Sequence, residues 1–114
     1  LAKRVEACER LGLSRDRIAV DPGIGFGKSD AHNFAILNAL TMLHGIRTPI
    51  VLGVSRKSFI GRTVDANSTE DRLPGTIAAT LHAVSQNVQI HRVHDVAEIN
   101  QALNIWQLCD DANG

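Results

Sequence analysis

Three short groups of polar residues could carry chemistry in this sequence. The first is DPGIGFGKS at residues 21–29, where an aspartate and a lysine flank alternating glycines. The second is SRKSFIG at residues 55–61, and the third is HRVHD at residues 91–95. Together they offer carboxylate, cationic and imidazole groups. Such a mixture suits a ligand that has both an anionic group and a polar ring.

The glycine-rich segment looks like a phosphate-binding loop, but it fits neither common pattern. A P-loop needs a glycine five positions before the Gly of Gly-Lys-Ser, and Pro22 stands there. The dinucleotide fingerprint needs a glycine three positions after its second glycine, where this sequence has Lys28. Asp21 is then either a ligand group at the end of a buried strand or the cap of a simple turn.

Each polar group follows an apolar run that is typical of a buried strand. The predicted strands are residues 17–20, 48–54 and 88–93. Helical periodicity and capping signals predict helices at residues 1–11, from Ser29 or Asp30 to Gly45, at 75–85 after Pro74, and after Asp95 as N-cap. The expected apolar faces are Val5, Cys8 and Leu11, then Phe34, Leu37, Leu40 and Leu43, and finally Val96, Ile99, Leu103 and Trp106.

Alternating strands and helices imply parallel strands joined by right-handed crossovers. Three strands are too few for a closed barrel, and a (β/α)₈ barrel typically needs about 250 residues. We therefore expect an α/β chain that forms the C-terminal portion of a TIM barrel, with about three βα units. In that fold the carboxyl ends of the strands meet at one face, so the three polar groups should lie together.

Composition excludes several classes of protein. The 114 residues contain 12 Lys and Arg and 12 Asp and Glu, so the formal net charge is zero. A general nucleic-acid or membrane-surface binder would usually carry a basic excess, and no apolar run is long enough to cross a bilayer. Cys8 and Cys109 form no metal-type cluster, which favours reduced thiols and a cytoplasmic location. The start at Leu1 indicates a piece of a longer chain.

Several of the polar residues also have simple structural interpretations. Lys57 could be a solvated loop lysine, and Arg92 could pair with Asp95. His91 and His94 lie three residues apart, but no Cys or carboxylate cluster supports a zinc site. The remaining histidines are expected at structural or surface positions, and these are His32, His44 and His82.

The motifs nevertheless resemble one family in order and separation. Residues 21–28 (DPGIGFGK), 55–61 (SRKSFIG) and 92–96 (RVHDV) are similar to the C-terminal part of dihydropteroate synthase, with strands six, seven and eight. The resemblance implies that residues 1–114 are a C-terminal fragment of a pterin-binding TIM-barrel domain. It implies a cytoplasmic transferase of folate biosynthesis that condenses 6-hydroxymethyl-7,8-dihydropterin pyrophosphate with p-aminobenzoate. The products are 7,8-dihydropteroate and pyrophosphate, and sulfonamides compete for the aminobenzoate site.

The resemblance also implies residue roles. Catalysis would fall to Asp21, Lys57, Arg92 and His94. The pterin would be bound by Asp21, Gly23, Gly53, Lys57 and Arg92. The p-aminobenzoate would be bound by Phe26, Ser55, Lys57 and Ser58. Pyrophosphate would be bound by Arg92 and His94, and Lys28 would be structural.

Other implied features lie outside these residues. The family uses Mg²⁺, whose Asn ligand is expected in an N-terminal part that this sequence lacks, so no metal ligand is expected here. Homodimers would form through the C-terminal helices, and the fragment alone should be inactive or nearly so. Two alternatives stay open. One is a pterin-binding methyltransferase of the same superfamily, and the other is a non-catalytic pterin- or anion-binding module.

Overall fold

The computed structural model describes residues 1–112 and shows an α/β arrangement in which helices connect three parallel extended segments. The helices are α1 (Ala2–Arg10), α2 (Asp30–Asn38), α3 (Ser58–Val64), α4 (Leu73–Ser85) and α5 (Val96–Asp111). The strands are β1 (Val51–Leu52) and β2 (Ile90–His91). Short 3₁₀ helices cover Arg15–Arg17, Leu40–Ile46 and Glu70–Arg72.

The three extended segments lie side by side in chain order. Strands β1 and β2 are parallel and pair Val51 with Ile90, while a parallel bridge joins Val20 to Ile50. The backbone N–H of Val51 donates to the carbonyl of Val20 at 2.8 Å. The predicted parallel order is therefore confirmed, and the polar groups that follow the segments lie along the same edge.

The paired strands are much shorter than predicted. Of residues 17–20 only Val20 pairs, because Arg17 closes a 3₁₀ turn by donating its N–H to the carbonyl of Ser14 at 3.0 Å. In the second segment Pro49 has no N–H to donate, and the N–H of Ile50 donates to the side chain of Gln89 at 2.9 Å. The missing N–H of Pro49 and the side chain of Gln89 therefore interrupt the backbone hydrogen bonds that would otherwise extend the strand.

The core lies where the extended segments face the helices. Ile50 is fully buried and Leu52, Val20 and Phe59 are almost so, with Phe59 packing edge-on against Phe34 at 5.3 Å between ring centroids. Burying each such side chain contributes roughly 1.5–3 kcal/mol. The other buried members of the cluster are Val5, Ile24, Leu37, Leu40, Val54, Ile60, Ala83 and Val88.

Helix α2 begins as predicted but ends early. The hydroxyl of Ser29 accepts the N–H of His32 at 3.2 Å and caps the first turn. The helix ends at Asn38 because the buried Gln86 side chain replaces its next bond, donating to the carbonyl of Leu37 and accepting the N–H of Thr41. The prediction that α2 runs to Gly45 is therefore wrong, and residues Leu40–Ile46 form a 3₁₀ helix instead. On the predicted apolar face, Leu37 and Leu40 are buried as expected, whereas Phe34 is 43% exposed.

The outer helices also differ in part from their predicted faces. Val5 and Ile99 are buried as expected, but Leu11 is 87% exposed and Val96 is 64% exposed, so both predictions are wrong. Leu11 follows the last residue of α1 and Val96 is the first residue of α5, and at helix ends the helical periodicity of apolar residues no longer predicts which side chains are buried. The other predicted apolar positions, Cys8, Leu43, Leu103 and Trp106, are only half-buried.

Helices α3 and α4 follow the prediction closely. The SRKSFIG segment leaves its strand as a loop and becomes a short helix at Ser58. Helix α4 starts at Leu73 with Pro74 in the first turn, where its missing N–H costs nothing. Cys8 and Cys109 are free thiols. Within residues 1–112, no helix combines the length and apolar character needed to cross a membrane.

His91 makes folding sensitive to mild acid. Its ring is half-buried on β2, with Nε2 bonded to the carbonyl of Val88 at 3.1 Å, and burial lowers the pKa of His91 below its ordinary 6.5 despite that bond. The unfolded chain then takes up the proton first, so stability is present above about pH 6.5 and is lost as pH falls toward the folded-state pKa. Between about pH 7.5 and 5.5 we expect a loss below about 1 kcal/mol, measured by urea unfolding. The variant His91→Gln should lose less, and an equal loss would contradict this assignment.

Candidate functional site

The glycine-rich segment forms a tight loop directly after Val20. Gly23 and Gly25 have φ angles of 73° and 86°, in the left-handed region that glycine enters without strain. One carboxylate oxygen of Asp21 accepts the N–H of Gly23 at 2.7 Å, and the N–H of Phe26 donates to the carbonyl of Gly23 at 3.1 Å. Asp21 is thus the cap of a turn, and its carboxylate is also exposed to solvent, so the turn does not exclude a ligand role.

Two side chains hold this loop in shape. The Lys28 ammonium donates to the carbonyls of Gly23 and Phe26 at 2.8 and 3.2 Å, which confirms its structural role. The N–H of Gly25 donates to Oδ1 of Asn33 at 2.8 Å, and Asn33 is only 1% exposed. Sequence reasoning missed Asn33. Its only signal is a polar residue one position before Phe34 on a helix predicted to pack inward.

Lys57 belongs to the second polar group, and its side chain reaches the glycine loop. Its ammonium donates to the carbonyl of Ile24 at 2.7 Å and sits 4.2 Å from the centroid of the Phe26 ring. A Cβ on Gly25 would come within 2.9 Å of the Lys57 alkyl chain. Partial burial, followed by the positive charge of Arg92, lowers the pKa of the Lys57 ammonium, while Asp21 opposes the shift.

Arg92 follows β2 and approaches Gly53, which follows β1. A Cβ at Gly53 would lie 2.7 Å from Nη2 of Arg92, so the absence of a side chain lets the guanidinium reach the strand end. Asp95 does not pair with Arg92. It receives two hydrogen bonds from Arg56, at 3.1 and 2.8 Å, so the Arg92–Asp95 interpretation is wrong. These bonds lower the pKa of the Asp95 carboxyl. Asp95 occupies the N-cap position of α5, but its side chain makes no capping hydrogen bond to the helix.

Arg56 anchors the loop between Ser55 and Lys57. Its φ angle is 57°, unusual for a residue with a side chain. Its N–H donates to the hydroxyl of Thr76 at 3.1 Å, and its carbonyl accepts Nη1 of Arg72 at 2.9 Å. With the Asp95 pair, one residue connects the loop to the start of α4 and to α5. Sequence reasoning missed this role because it depends on contacts 16 to 39 residues away.

Ser55 and His94 meet beside these cations. Ser55 is 5% exposed, and its hydroxyl oxygen accepts the backbone N–H of His94 at 3.1 Å. The same oxygen lies 2.8 Å from Nδ1 of the His94 ring. The ring itself is exposed at the edge of the site.

One cavity of about 270 Å³ collects most of the predicted site residues. Its lining residues are Gly53, Ser55, Lys57, Arg92, Val93 and His94. Phe26 is not among these lining residues, but its ring contacts the ammonium of Lys57, which is. Asp21 is outside its lining and borders a separate cavity beside Val20, and Gly23 is beside it in the glycine loop. Ser58 lies in a third cavity with Arg62 and Arg72.

The charge of the site does not suit a divalent metal. Lys57 and Arg92 supply cations to the cavity, and residues 1–112 contain no cluster of three histidine, cysteine or acidic side chains placed to hold a metal ion. Mg²⁺ prefers carboxylate and other oxygen ligands, so the residues of this chain do not form a magnesium site by themselves. An anionic ligand fits the same cavity far better.

Comparison with known sequences shows which family the chain is similar to. The sequence model of the family described as "Pterin binding enzyme" matches residues 1–94. The chain is 37% identical to the dihydropteroate synthase of Escherichia coli K12 over 103 residues, which cover 90% of this chain and 36% of that protein. It is 38% identical to the Haemophilus influenzae dihydropteroate synthase over 112 residues, covering 98% and 40%.

Solved structures agree. Xanthomonas albilineans dihydropteroate synthase in complex with 7,8-dihydropteroate matches with a TM-score of 0.92 and 39% identity, over 95% of this chain and 41% of that one. Yersinia pestis dihydropteroate synthase with a pterin–sulfa conjugate matches with a TM-score of 0.90 and 36% identity, over 96% and 42%. The chain therefore spans about two fifths of the length of these relatives. Because the family model matches residues 1–94 of its 114 residues, the chain belongs to the pterin-binding enzyme family.

Proposed function

We propose that this chain is the C-terminal portion of a dihydropteroate synthase, with strands six to eight of a TIM barrel. The observation that carries the proposal is the single cavity into which two strand ends bring Lys57, Arg92 and His94. Two cations and an imidazole in one recess suit a pyrophosphate group that is bound first and released later. The dihydropteroate synthases of similar sequence and structure support the choice of reaction.

The pterin would lie between the glycine loop and this cavity. The exposed carboxylate of Asp21 can accept N–H groups from the pterin, and Lys57 can donate to the acceptors of the ring. Gly23 would allow a flat ring to approach the backbone of the loop, while the space beside Gly53 is taken by the Arg92 guanidinium, which would lie against the same ring. The Arg92 guanidinium, which lies beside Gly53, can stack on the ring and face the pyrophosphate.

The p-aminobenzoate would enter beside Phe26 and Lys57. Phe26 is 66% exposed and can cover the benzene ring, while the alkyl chain of Lys57 offers an apolar wall. Ser58 is exposed in the neighbouring cavity with Arg62 and Arg72, where a carboxylate at the far end of the substrate would find polar partners. Ser55 is buried on His94, so any contribution of its hydroxyl to this pocket would pass through that contact.

The chemistry requires charge stabilisation more than proton transfer. The amine nitrogen of p-aminobenzoate forms a bond to the pterin methylene carbon as the carbon–oxygen bond to pyrophosphate breaks. Pyrophosphate leaves with the bonding electrons, and the amine loses a proton to solvent. Arg92 and His94 would stabilise the leaving anion, and Asp21 would stabilise positive charge that develops on the pterin.

Further parts of the proposal concern the surroundings of this chain. We place the Mg²⁺ ligands outside residues 1–112, because the donor set here is cationic. A homodimer through the C-terminal helices, a cytoplasmic location and low activity of the isolated chain complete the proposal. The exposed apolar residues on α5, Ile105 at 58% and Leu108 at 66%, are consistent with such a contact.

A chimaera provides the decisive experiment. This chain would replace the matching segment of the Escherichia coli dihydropteroate synthase, and pyrophosphate release would be measured with Mg²⁺, pterin pyrophosphate and p-aminobenzoate. We expect aminobenzoate-dependent release that a sulfonamide blocks. The isolated chain, assayed in parallel, should release little or none.

The same assay separates the alternatives. A folded chimaera that binds a dihydropterin but releases no pyrophosphate would indicate a non-catalytic binding module. Pterin binding without sulfonamide competition would favour a methyltransferase, which does not need an aminobenzoate site. Circular dichroism of the chimaera distinguishes either result from a failure to fold.

A further inference from the structure

The hydroxyl of Ser55 is buried against a single ring, and this fixes its hydrogen-bonding options. Its oxygen accepts the backbone N–H of His94 at 3.1 Å and lies 2.8 Å from Nδ1 of the same residue. Only 5% of Ser55 is exposed, although it contributes to the lining of the cavity, and Nδ1 of His94 is the acceptor that the structure offers to its proton. Within residues 1–112, the structure shows no other hydrogen-bond partner for this hydroxyl.

Counting protons then decides between two arrangements. If Nδ1 carried the proton, the Ser55 oxygen would accept two N–H groups and its own proton would be buried without an acceptor. A buried donor left unpaired is costly. If Nδ1 is unprotonated, the hydroxyl donates to it and accepts the backbone N–H, so both groups are satisfied. The second arrangement places the ring proton on Nε2.

We infer that Ser55 is a positioning residue that holds the His94 ring in one orientation, with its proton on Nε2 and available to an anion in the cavity. His94 lines that cavity together with Arg92 and Lys57. A neutral ring held in this way donates one directed hydrogen bond without first gaining a charge. The nature of the anion, pyrophosphate, rests on the proposed function, whereas the ring state does not.

This assignment gives Ser55 a different task from Ser58, the other serine of the motif. Ser58 is exposed and lies in a separate cavity with Arg62 and Arg72. Ser55 is buried and touches His94 across 39 residues of sequence. Ser55 follows the second strand, and its hydroxyl contacts His94 in the third polar group. It therefore connects two of the three motifs.

The ring state can be measured directly on the 114-residue chain. At about pH 8, where imidazole side chains are ordinarily neutral, two-bond ¹⁵N–¹H correlation spectra report which nitrogen carries the proton. We expect a single Nε2–H form for His94 in the native chain and a mixture of both neutral forms in Ser55→Ala. A predominant Nδ1–H form in the native chain, or an unchanged spectrum in the variant, would overturn the inference.

Anion binding provides the second readout. Inorganic pyrophosphate would be titrated calorimetrically into the native chain, Ser55→Ala, Ser55→Thr and Ser85→Ala. Losing one hydrogen bond that orients the ring should weaken binding by about three- to tenfold in Ser55→Ala. Ser55→Thr keeps the hydroxyl and should recover most of this loss. Ser85→Ala removes a hydroxyl bonded to the carbonyl of His82 on α4 and should bind like the native chain.

The outcomes separate this inference from the function on which it rests. If neither the native chain nor the chimaera with Mg²⁺ binds pyrophosphate, the proposed anion is wrong, and the spectra still decide the role of Ser55. If the native chain binds and Ser55→Ala binds equally well with a mixed ring state, positioning by Ser55 is refuted while the anion site stands. If Thr and Ala variants lose the same affinity, the effect is one of packing and not of the hydroxyl.

Discussion

Asp21→Asn is expected to weaken dihydropterin binding by about 10- to 100-fold without unfolding the protein. Asparagine keeps an oxygen that can accept the N–H of Gly23, so the turn that Asp21 caps at 2.7 Å survives. The second oxygen becomes an NH₂ group, which would face the N–H groups of a pterin. The variant therefore removes a charge and an acceptor at the ligand while preserving the local fold.

The measurement is a calorimetric titration of a dihydropterin into the chimaera and its Asp21→Asn variant. Asp16→Asn is a matched control, because Asp16 is also an exposed acid that accepts a local hydrogen bond, from Ser14. It should bind like the parent. Equal affinity in Asp21→Asn would show that Asp21 serves only the turn.

The largest effect on stability is expected from Gly61→Ala in α3. A Cβ at Gly61 would lie 2.6 Å from the carbonyl oxygen of Ala66 and 2.5 Å from Nε of Arg72. The Arg72 side chain can move aside, but the Ala66 carbonyl is part of the backbone. Ala66 also donates its N–H to the carbonyl of Gly61 at 2.9 Å, so a shift of Ala66 would disturb the bond that closes the end of α3. Overpacking of this kind typically costs about 1–3 kcal/mol.

Gly45→Ala is the matched control for this substitution. No atom lies within 4 Å of a Cβ at Gly45, and its φ angle is not in the left-handed region. The free energy of unfolding should stay within about 0.5 kcal/mol of the native value or rise slightly. Urea unfolding of both variants tests the contrast. If the two glycines tolerate alanine equally, the close packing of α3 on Ala66 is not a constraint in solution.

Much of the architecture was predictable because it depends on local pattern. The apolar runs at residues 17–20, 48–54 and 88–93 correctly indicate three parallel segments, although the paired strands are shorter. The cap at Ser29 and the first-turn residue Pro74 correctly indicate where α2 and α4 begin. Helix and strand ends were less predictable. The end of α2 depends on Gln86, whose side chain arrives from 49 residues away and replaces a helical bond.

The site divides in the same way. Motif residues from two strand ends do gather in one cavity, as the parallel arrangement requires. Residues that hold them in place were not predictable, because Asn33 and Thr76 act through single hydrogen bonds to backbone N–H groups 8 and 20 residues away, outside any local pattern. The Arg56–Asp95 pair was also missed, since Asp95 has a nearer cation in the chain at Arg92.

The anchoring of Arg56 has a mechanical consequence for the residues beside it. Its N–H, its carbonyl and its guanidinium are each tied to a different partner, so the peptide units on both sides of it have little freedom to rotate. Ser55 and Lys57 belong to no helix or strand, yet any displacement of either must carry the start of α4 and of α5 with it. On the nanosecond scale of ordinary loop motion, this wall of the cavity should behave as part of the rigid scaffold.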